Sequence, residues 1–244
     1  MADRVIVEIL VAAPIETVWT AVKDPVEAQR WFGWDYPTLA ADLVQMWKDS
    51  HTDEVKREIW ADTMPDRFTF EAVGETHTVV RIVRSAPATD SSWTGIYDDM
   101  IEGWTTFMQQ LKFALERHPS DSRRTVFLNG RAQTAGTPHP IAALGLSPVW
   151  VVPNGERYDV TAATGDRLSG TVFYRAPHQM GLTVDGFGDG LLIAQVRPKT
   201  AKSAHGGGSI ILTTYGRSDA DFTQLRDRWS RWWTDTYEVI EIQP

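Results

Sequence analysis

Residues 18–32 read "VWTAVKDPVEAQRWF" and residues 33–37 continue "GWDYP", which puts three tryptophans and a phenylalanine within positions 19–34. The pair Asp24-Pro25 divides the stretch. Proline has no N–H to give a helix interior and pushes the residue before it out of the α region, so one helix must end near Lys23 and another can begin with proline at its first position. Upstream, "RVIVEILVAAP" (4–14) is rich in Val and Ile, which favours a strand. Pro14 then opens "IETVWTAV", in which Ile15, Val18, Trp19 and Val22 share one helical face. Downstream, "VEAQRWF" (26–32) predicts a second short helix, with Trp31 and Phe32 about one turn beyond Glu27.

Farther along, "DRFTFEAV" (66–73) alternates Phe68, Phe70 and Ala72 with Arg67, Thr69 and Glu71, and "HTVVRIVRS" (77–85) is its hairpin partner across Gly74. The segment "DDMIEGWTTFMQQLKFALERH" (98–118) places Met100/Ile101, Trp104, Phe107/Met108, Leu111 and Leu115 three and four residues apart, the period of a long amphipathic helix whose apolar face must cover something. The second half repeats this plan. "RTVFLNGRA", "RYDVTAAT", "RLSGTVFYRA", "MGLTVDGF", "GLLIAQVRP" and "SIILTTYG" read as strands, and "DFTQLRDRWSRWWTDTYEVI" closes them as a helix. Phe222 to Trp229 there repeats the seven-residue interval from Trp104 to Leu111. What the second half lacks is a clear helix pair after its first strand, because "TPHPIAALGLSPVWVVP" (137–153) leaves only one or two turns between prolines.

Charge divides the chain in the same way. Residues 1–123 carry 12 basic and 21 acidic side chains, and residues 124–244 carry 12 and 11. Between the halves lies "RHPSDSRR" (117–124), a linker by its Pro, Ser and Asp content. These features predict an α+β protein of two domains, 1–120 and 121–244, with the boundary near Ser120.

With 244 residues, 42% hydrophobic and 23% charged, the chain can bury sizeable cores. The acidic excess, 32 against 24 basic residues, argues against a general nucleic-acid or anionic-membrane surface. The absence of cysteine excludes disulfides, thiol nucleophiles and Cys-ligated zinc. No basic-then-apolar leader opens the sequence and no run of eighteen apolar residues interrupts it, so a cytoplasmic protein without membrane insertion is expected.

The first strand, "PIETVWTAVKDPVEAQRWF", the antiparallel run and the closing "GWTTFMQQLKFALE", with its Gly103-Trp104 opening and Leu111-Lys112, together resemble the START-like, helix-grip (SRPBCC) superfamily. Within it they look like the branch named after the activator of the Hsp90 ATPase. The resemblance covers residues 1–118 well and 124–244 more loosely. It implies two helix-grip units in tandem, each a curved antiparallel sheet wrapped around a long C-terminal helix with short helices plugging one end, the second unit lacking part of its front helices. It further implies a cavity for a hydrophobic small molecule, lined in the first unit by Trp19, Trp31, Phe32, Trp34, Phe70, Trp104 and Met108, with no metal and no cofactor. Those aromatics can equally be plain core, since aromatic residues at helical spacing bury large areas there. Trp34, past Gly33, is the one best placed for a cavity wall or the surface.

Motifs of catalysis are sparse. The histidines, His51, His77, His118, His139, His178 and His205, show no metal-ligand spacing and read as surface residues. "HGGGS" (205–209) lacks a nucleophile elbow and reads as a flexible hairpin loop. Asp98-Asp99, just before the long helix, has the residue types of a metal or acid/base site but reads rather as the cap of that helix. A non-enzymatic ligand-binding protein is therefore the first expectation. Helix-grip relatives also include didomain polyketide aromatase/cyclases, for which Arg81, Tyr97, Tyr174 and Arg175 would be the proton-moving candidates. A protein-interaction module related to the Hsp90 activators is a third possibility, although the sequence carries no counterpart of the Asn/Trp/His motif found in those co-chaperones' separate N-terminal domain.

Overall fold

In the computed structural model, which describes residues 3–62, 64–85, 94–200 and 203–240 (94–98 by backbone alone), the Asp24-Pro25 break falls between two helices. Helix α1 (Ile15–Lys23) stops before it, and Asp24 Oδ1 accepts from Val26 N at 2.8 Å to cap the four-residue α2 (Pro25–Ala28). The last carbonyls of a helix have no partner within it. Here Thr20 O accepts from Asp24 N, Ala21 O accepts from the Trp31 indole at 2.8 Å, and Val22 O accepts from the Trp47 indole. The Trp19 indole donates to Glu54 Oε2 at 3.1 Å. Two indoles, those of Trp31 and Trp47, thus close off α1 with donors that a Phe or Leu could not supply.

The first unit, Met1–Asp121, continues with α3 (Leu39–Lys48), β2 (Ser50–Asp53), β3 (Glu58–Ala61), β4 (Asp66–Val73), β5 (His77–Arg84) and α4 (Thr94–Arg117), after a first strand β1 (Arg4–Val11). Its antiparallel sheet runs β1-β5-β4-β3-β2. The β4–β5 hairpin pairs Phe68 with Ile82 and Phe70 with Val80, so one face of alternating residues turns inward. Val7, Ile9, Phe68, Phe70, Val80 and Ile82 of the sheet meet Trp104, Met108 and Leu111 of α4 in one core. Gly33, at φ +63°, turns the chain out of the turn that follows α2, and its carbonyl accepts from Gln110 Nε2 of α4 at 2.8 Å.

The second unit, Ser122–Pro244, comprises β6 (Arg123–Ala132), the short α5 (Pro140–Ala143), a 3-10 turn (Ser147–Val151), β7 (Arg157–Thr161), β8 (Arg167–Ala176), β9 (Gln179–Val184), β10 (Gly190–Arg197), β11 (Gly207–Tyr215), α6 (Asp219–Thr236) and β12 (Tyr237–Val239). The sheet order is β12-β6-β11-β10-β9-β8-β7, again antiparallel. Both sheets share a plan in which the first strand pairs with the last of a sequential meander, and a long helix follows. Leu225, Trp229 and Trp233 of α6 pack on Leu168, Leu182, Leu192 and Leu212 of this sheet. Four prolines keep the front of this unit to α5 and the 3-10 turn where the first unit has three helices.

One anchor recurs. Trp104 of α4 donates to Asp66 Oδ2 and Trp229 of α6 donates to Asp166 Oδ2, each at 2.8 Å, with a bidentate arginine on the same carboxylate, Arg84 in the first unit and Arg228 in the second. Trp229, rather than Phe222, therefore plays the part of Trp104. Three segments differ from the sequence reading. Helix α3 and strands β2 and β3 lie in residues 39–61, where short, mixed runs carry no sustained period. Helix α4 begins at Thr94, so Asp98-Asp99 lies inside it and is not its cap. Residues 207–209 of "HGGGS" form the start of buried β11 instead of a flexible loop.

Candidate functional site

The seven aromatic and apolar residues expected to line a cavity all lie in the first unit. Trp19, Trp31, Phe70, Trp104 and Met108 are buried members of its core, and Phe32 packs against them half-buried. Trp19 meets Phe70 edge-on at 5.1 Å and Trp104 meets Phe68 at 5.2 Å between ring centroids, the geometry aromatic pairs prefer. Trp34 stands half-buried in the loop beside Tyr36. Phe32 and Trp104, with Met46, Trp47, Trp60 and Phe68, also border a crevice of about 40 Å³, room for a few waters.

Of the residues considered for proton transfer, Arg81 lies in the β5 ladder and pairs with Glu8 and Glu71 at 2.6 Å each; hydrogen bonds to those two carboxylates hold its pKa above the usual arginine range. Tyr174 is buried and donates to Gln179 Oε1 at 2.5 Å. Arg175 donates from Nη2 to Val149 O at 3.1 Å and so ties β8 to the 3-10 turn. The Tyr97 side chain lies outside the described residues.

A larger concavity belongs to the second unit. His139, Ile141, Ser147, Trp150, Pro177, His178 and Val196 line a cleft of about 340 Å³. One wall is the proline-rich front segment. His139 is the N-cap of α5, Pro140 takes the first helical position, and His139 Nδ1 accepts from Ala142 N at 3.3 Å. Ile141, Leu144, Leu146 and Val149 sink into the core, which leaves Ser147 and Trp150 on the cleft side. The opposite wall is the two-residue turn Pro177-His178 between β8 and β9 and the end of β10, joined where Val196 N donates to His178 O at 2.7 Å. Gly208 of β11 lets this wall close up. A Cβ there would stand 2.0 Å from Gln195 O and 2.7 Å from Pro140 Cγ. From α6 onward, Tyr237 stacks on Trp233 at 4.2 Å and donates to Pro138 O at 2.7 Å, steadying the chain just before His139.

The lining is apolar and aromatic with two imidazoles and one hydroxyl, and it contains no carboxylate, lysine or arginine among the described residues. That composition suits a neutral, largely hydrophobic ligand oriented by a few hydrogen bonds. The histidines are 39 positions apart in sequence, so only the return of β9 and β10 past the front segment brings them to one cleft. Among the described residues, no group of three or more His, Asp or Glu is placed to hold a metal ion, and no helix is long and apolar enough to cross a membrane.

No family model and no curated protein matches the chain. Two solved structures are similar to it. The di-domain ARO/CYC BexL from the BE-7585A biosynthetic pathway is 15% identical with a TM-score of 0.37, covering 100% of each chain. DynU16, from the dynemicin biosynthetic locus, is 19% identical with a TM-score of 0.30, covering 93% of this chain and 94% of its own.

Proposed function

We propose that the protein is a pair of helix-grip units and that it binds a hydrophobic small molecule in the cleft of the second. The shared strand order closed by a long helix supports the first part. The second part rests on one observation: a 340 Å³ concavity walled by Trp150, Ile141, Pro177 and Val196, with His139, His178 and Ser147 as its polar groups. Sites for small molecules run from about 300 to 1,000 Å³ and have this mixture of apolar wall and sparse polar groups. The Trp19–Trp104 cluster then serves the stability of the first unit, whose indole donors already have protein partners.

Tryptophan emission of the full chain, titrated with flavonoids, fatty acids and aromatic polyketides, tests this. The expected result is saturable quenching at one ligand per chain, largely removed by Trp150→Phe. A panel without any saturating member would overturn the proposal, as would quenching that Trp150→Phe leaves intact.

The two imidazoles favour a second reading, an aromatase/cyclase-type enzyme that folds a polyketide chain in this cleft and moves protons from it. Its mark would be formation of a cyclised, ultraviolet-absorbing product from a polyketide thioester, lost in His178→Ala; a substrate that binds and stays linear would exclude it.

A further inference from the structure

We infer that His139 is a specificity-determining hydrogen-bond donor that selects ligands carrying a neutral acceptor oxygen, such as an aromatic ketone, over the corresponding hydrocarbon. The inference rests on the cleft being the binding site and names what that site prefers.

Its basis is the local chemistry of the front segment. A neutral imidazole has one nitrogen that donates and one that accepts. The N-cap geometry assigns them, because His139 Nδ1 accepts from Ala142 N at 3.3 Å while the backbone of His139 is extended, at φ −70° and ψ 158°. With Nδ1 as the acceptor, the neutral ring carries its proton on Nε2, the atom on the far side of the ring from the helix, and His139, an exposed residue, is among those that line the cleft. Three features hold it in place: the fixed φ of Pro140, the Tyr237 hydroxyl on Pro138 O at 2.7 Å, and the buried Ile141 and Leu144 that seat α5. A donor oriented before the ligand arrives loses little freedom on binding. With no charged group in the lining, the complement to this donor is a neutral oxygen on a flat apolar body that can lie along Trp150.

Fluorenone and fluorene, planar molecules of similar shape that differ in a carbonyl oxygen, are the probes. Their affinities are measured by calorimetry on the full chain for wild type, His139→Asp and His139→Asn, each first checked for an unchanged circular dichroism spectrum. Asp can accept from Ala142 N as His139 does but has no proton to donate; Asn can accept through Oδ1 and donate through Nδ2. The fluorenone-to-fluorene affinity ratio is expected to be about fivefold higher in wild type than in His139→Asp, the change that one net hydrogen bond gives, with His139→Asn within about twofold of wild type by the same measure. Saturable binding of both probes with the same ratio in wild type and His139→Asp would overturn the inference and leave the cleft proposal standing. No saturable binding of either probe to wild type would remove the cleft proposal and this inference together.

Discussion

The recurring Trp–Asp–Arg anchor makes a sharp prediction, because the same substitution can be made in two environments. Asp66 and Arg84 are almost wholly buried, with side-chain exposures of 1% and 3%, whereas Arg228 is 37% exposed beside Asp166 at 14%. Replacing Asp66 by Asn keeps an oxygen for the Trp104 indole but leaves the Arg84 guanidinium in a dry site without its carboxylate, a change that costs about 3–5 kcal/mol. Replacing Asp166 by Asn keeps an oxygen for Trp229, and Arg228 can turn to water, so the loss is about 1 kcal/mol, as for other solvent-screened pairs. Urea unfolding followed by fluorescence measures the totals, and hydrogen exchange assigns each loss to its own unit. The double substitution Asp66→Leu/Arg84→Met should recover only part of the first loss, since it removes both charges but leaves the Trp104 indole N–H without its acceptor; adding Trp104→Phe removes that donor as well and should recover more. Equal losses for the two single substitutions, or a larger one at Asp166, would refute the claim that desolvation decides the strength of this anchor.

Other expectations are simpler. Trp104→Ala should cost about 3–5 kcal/mol, the usual loss for a buried large aromatic, seen as a lower melting temperature of the first unit. Gly208→Ala should destabilise the second unit by about 1–3 kcal/mol through overpacking and raise hydrogen exchange in α5, because its Cβ collides with Gln195 O and Pro140. Tyr237→Phe keeps the stack on Trp233, loses the bond to Pro138 O, and should cost about 1 kcal/mol while weakening ligand binding in the cleft. Burial pushes the Tyr158 and Tyr237 hydroxyls well above their ordinary value of 10.0, so these two tyrosines should resist ionisation in an alkaline ultraviolet titration, as Tyr158→Phe and Tyr237→Phe would show by removing the late-titrating signal. Both have folded pKa values above the unfolded ones; their stabilisation is therefore complete below about pH 10 and declines as pH rises beyond it.

Long periodic segments were legible from sequence: α1, α4, α6, the β4–β5 hairpin and the strands of the second half all follow from apolar spacing and from Pro and Gly as stops. Helix α3 was not, because Leu39 and Leu43 are its only fully buried side chains while Val44 and Met46 stay exposed, which blurs its period. The "HGGGS" glycines suggested mobility, yet at Gly208 the Gln195 backbone and the Pro140 ring leave no space for a side chain, a constraint visible only once β10 and α5 are in position. The cleft was hidden for the same reason. His139 showed a local sign, a side chain able to cap placed before proline, but nothing in the spacing of His139 and His178 announces that a hairpin turn and a broken helix bring them together.

The central claim, that ligand enters the cleft of the second unit, is tested most directly by nuclear magnetic resonance of protein with isotope-labelled histidine and tryptophan rings, titrated with fluorenone. The six histidines act as reporters spread over both units. The account predicts that the ring signals of His139, His178 and Trp150 move together to saturation while those of His51, His77 and His118, and the indole signals of Trp19, Trp31 and Trp104, stay in place. Movement of the first-unit indoles with His139 and His178 unmoved would contradict it and return the binding site to the aromatic cluster around Asp24-Pro25.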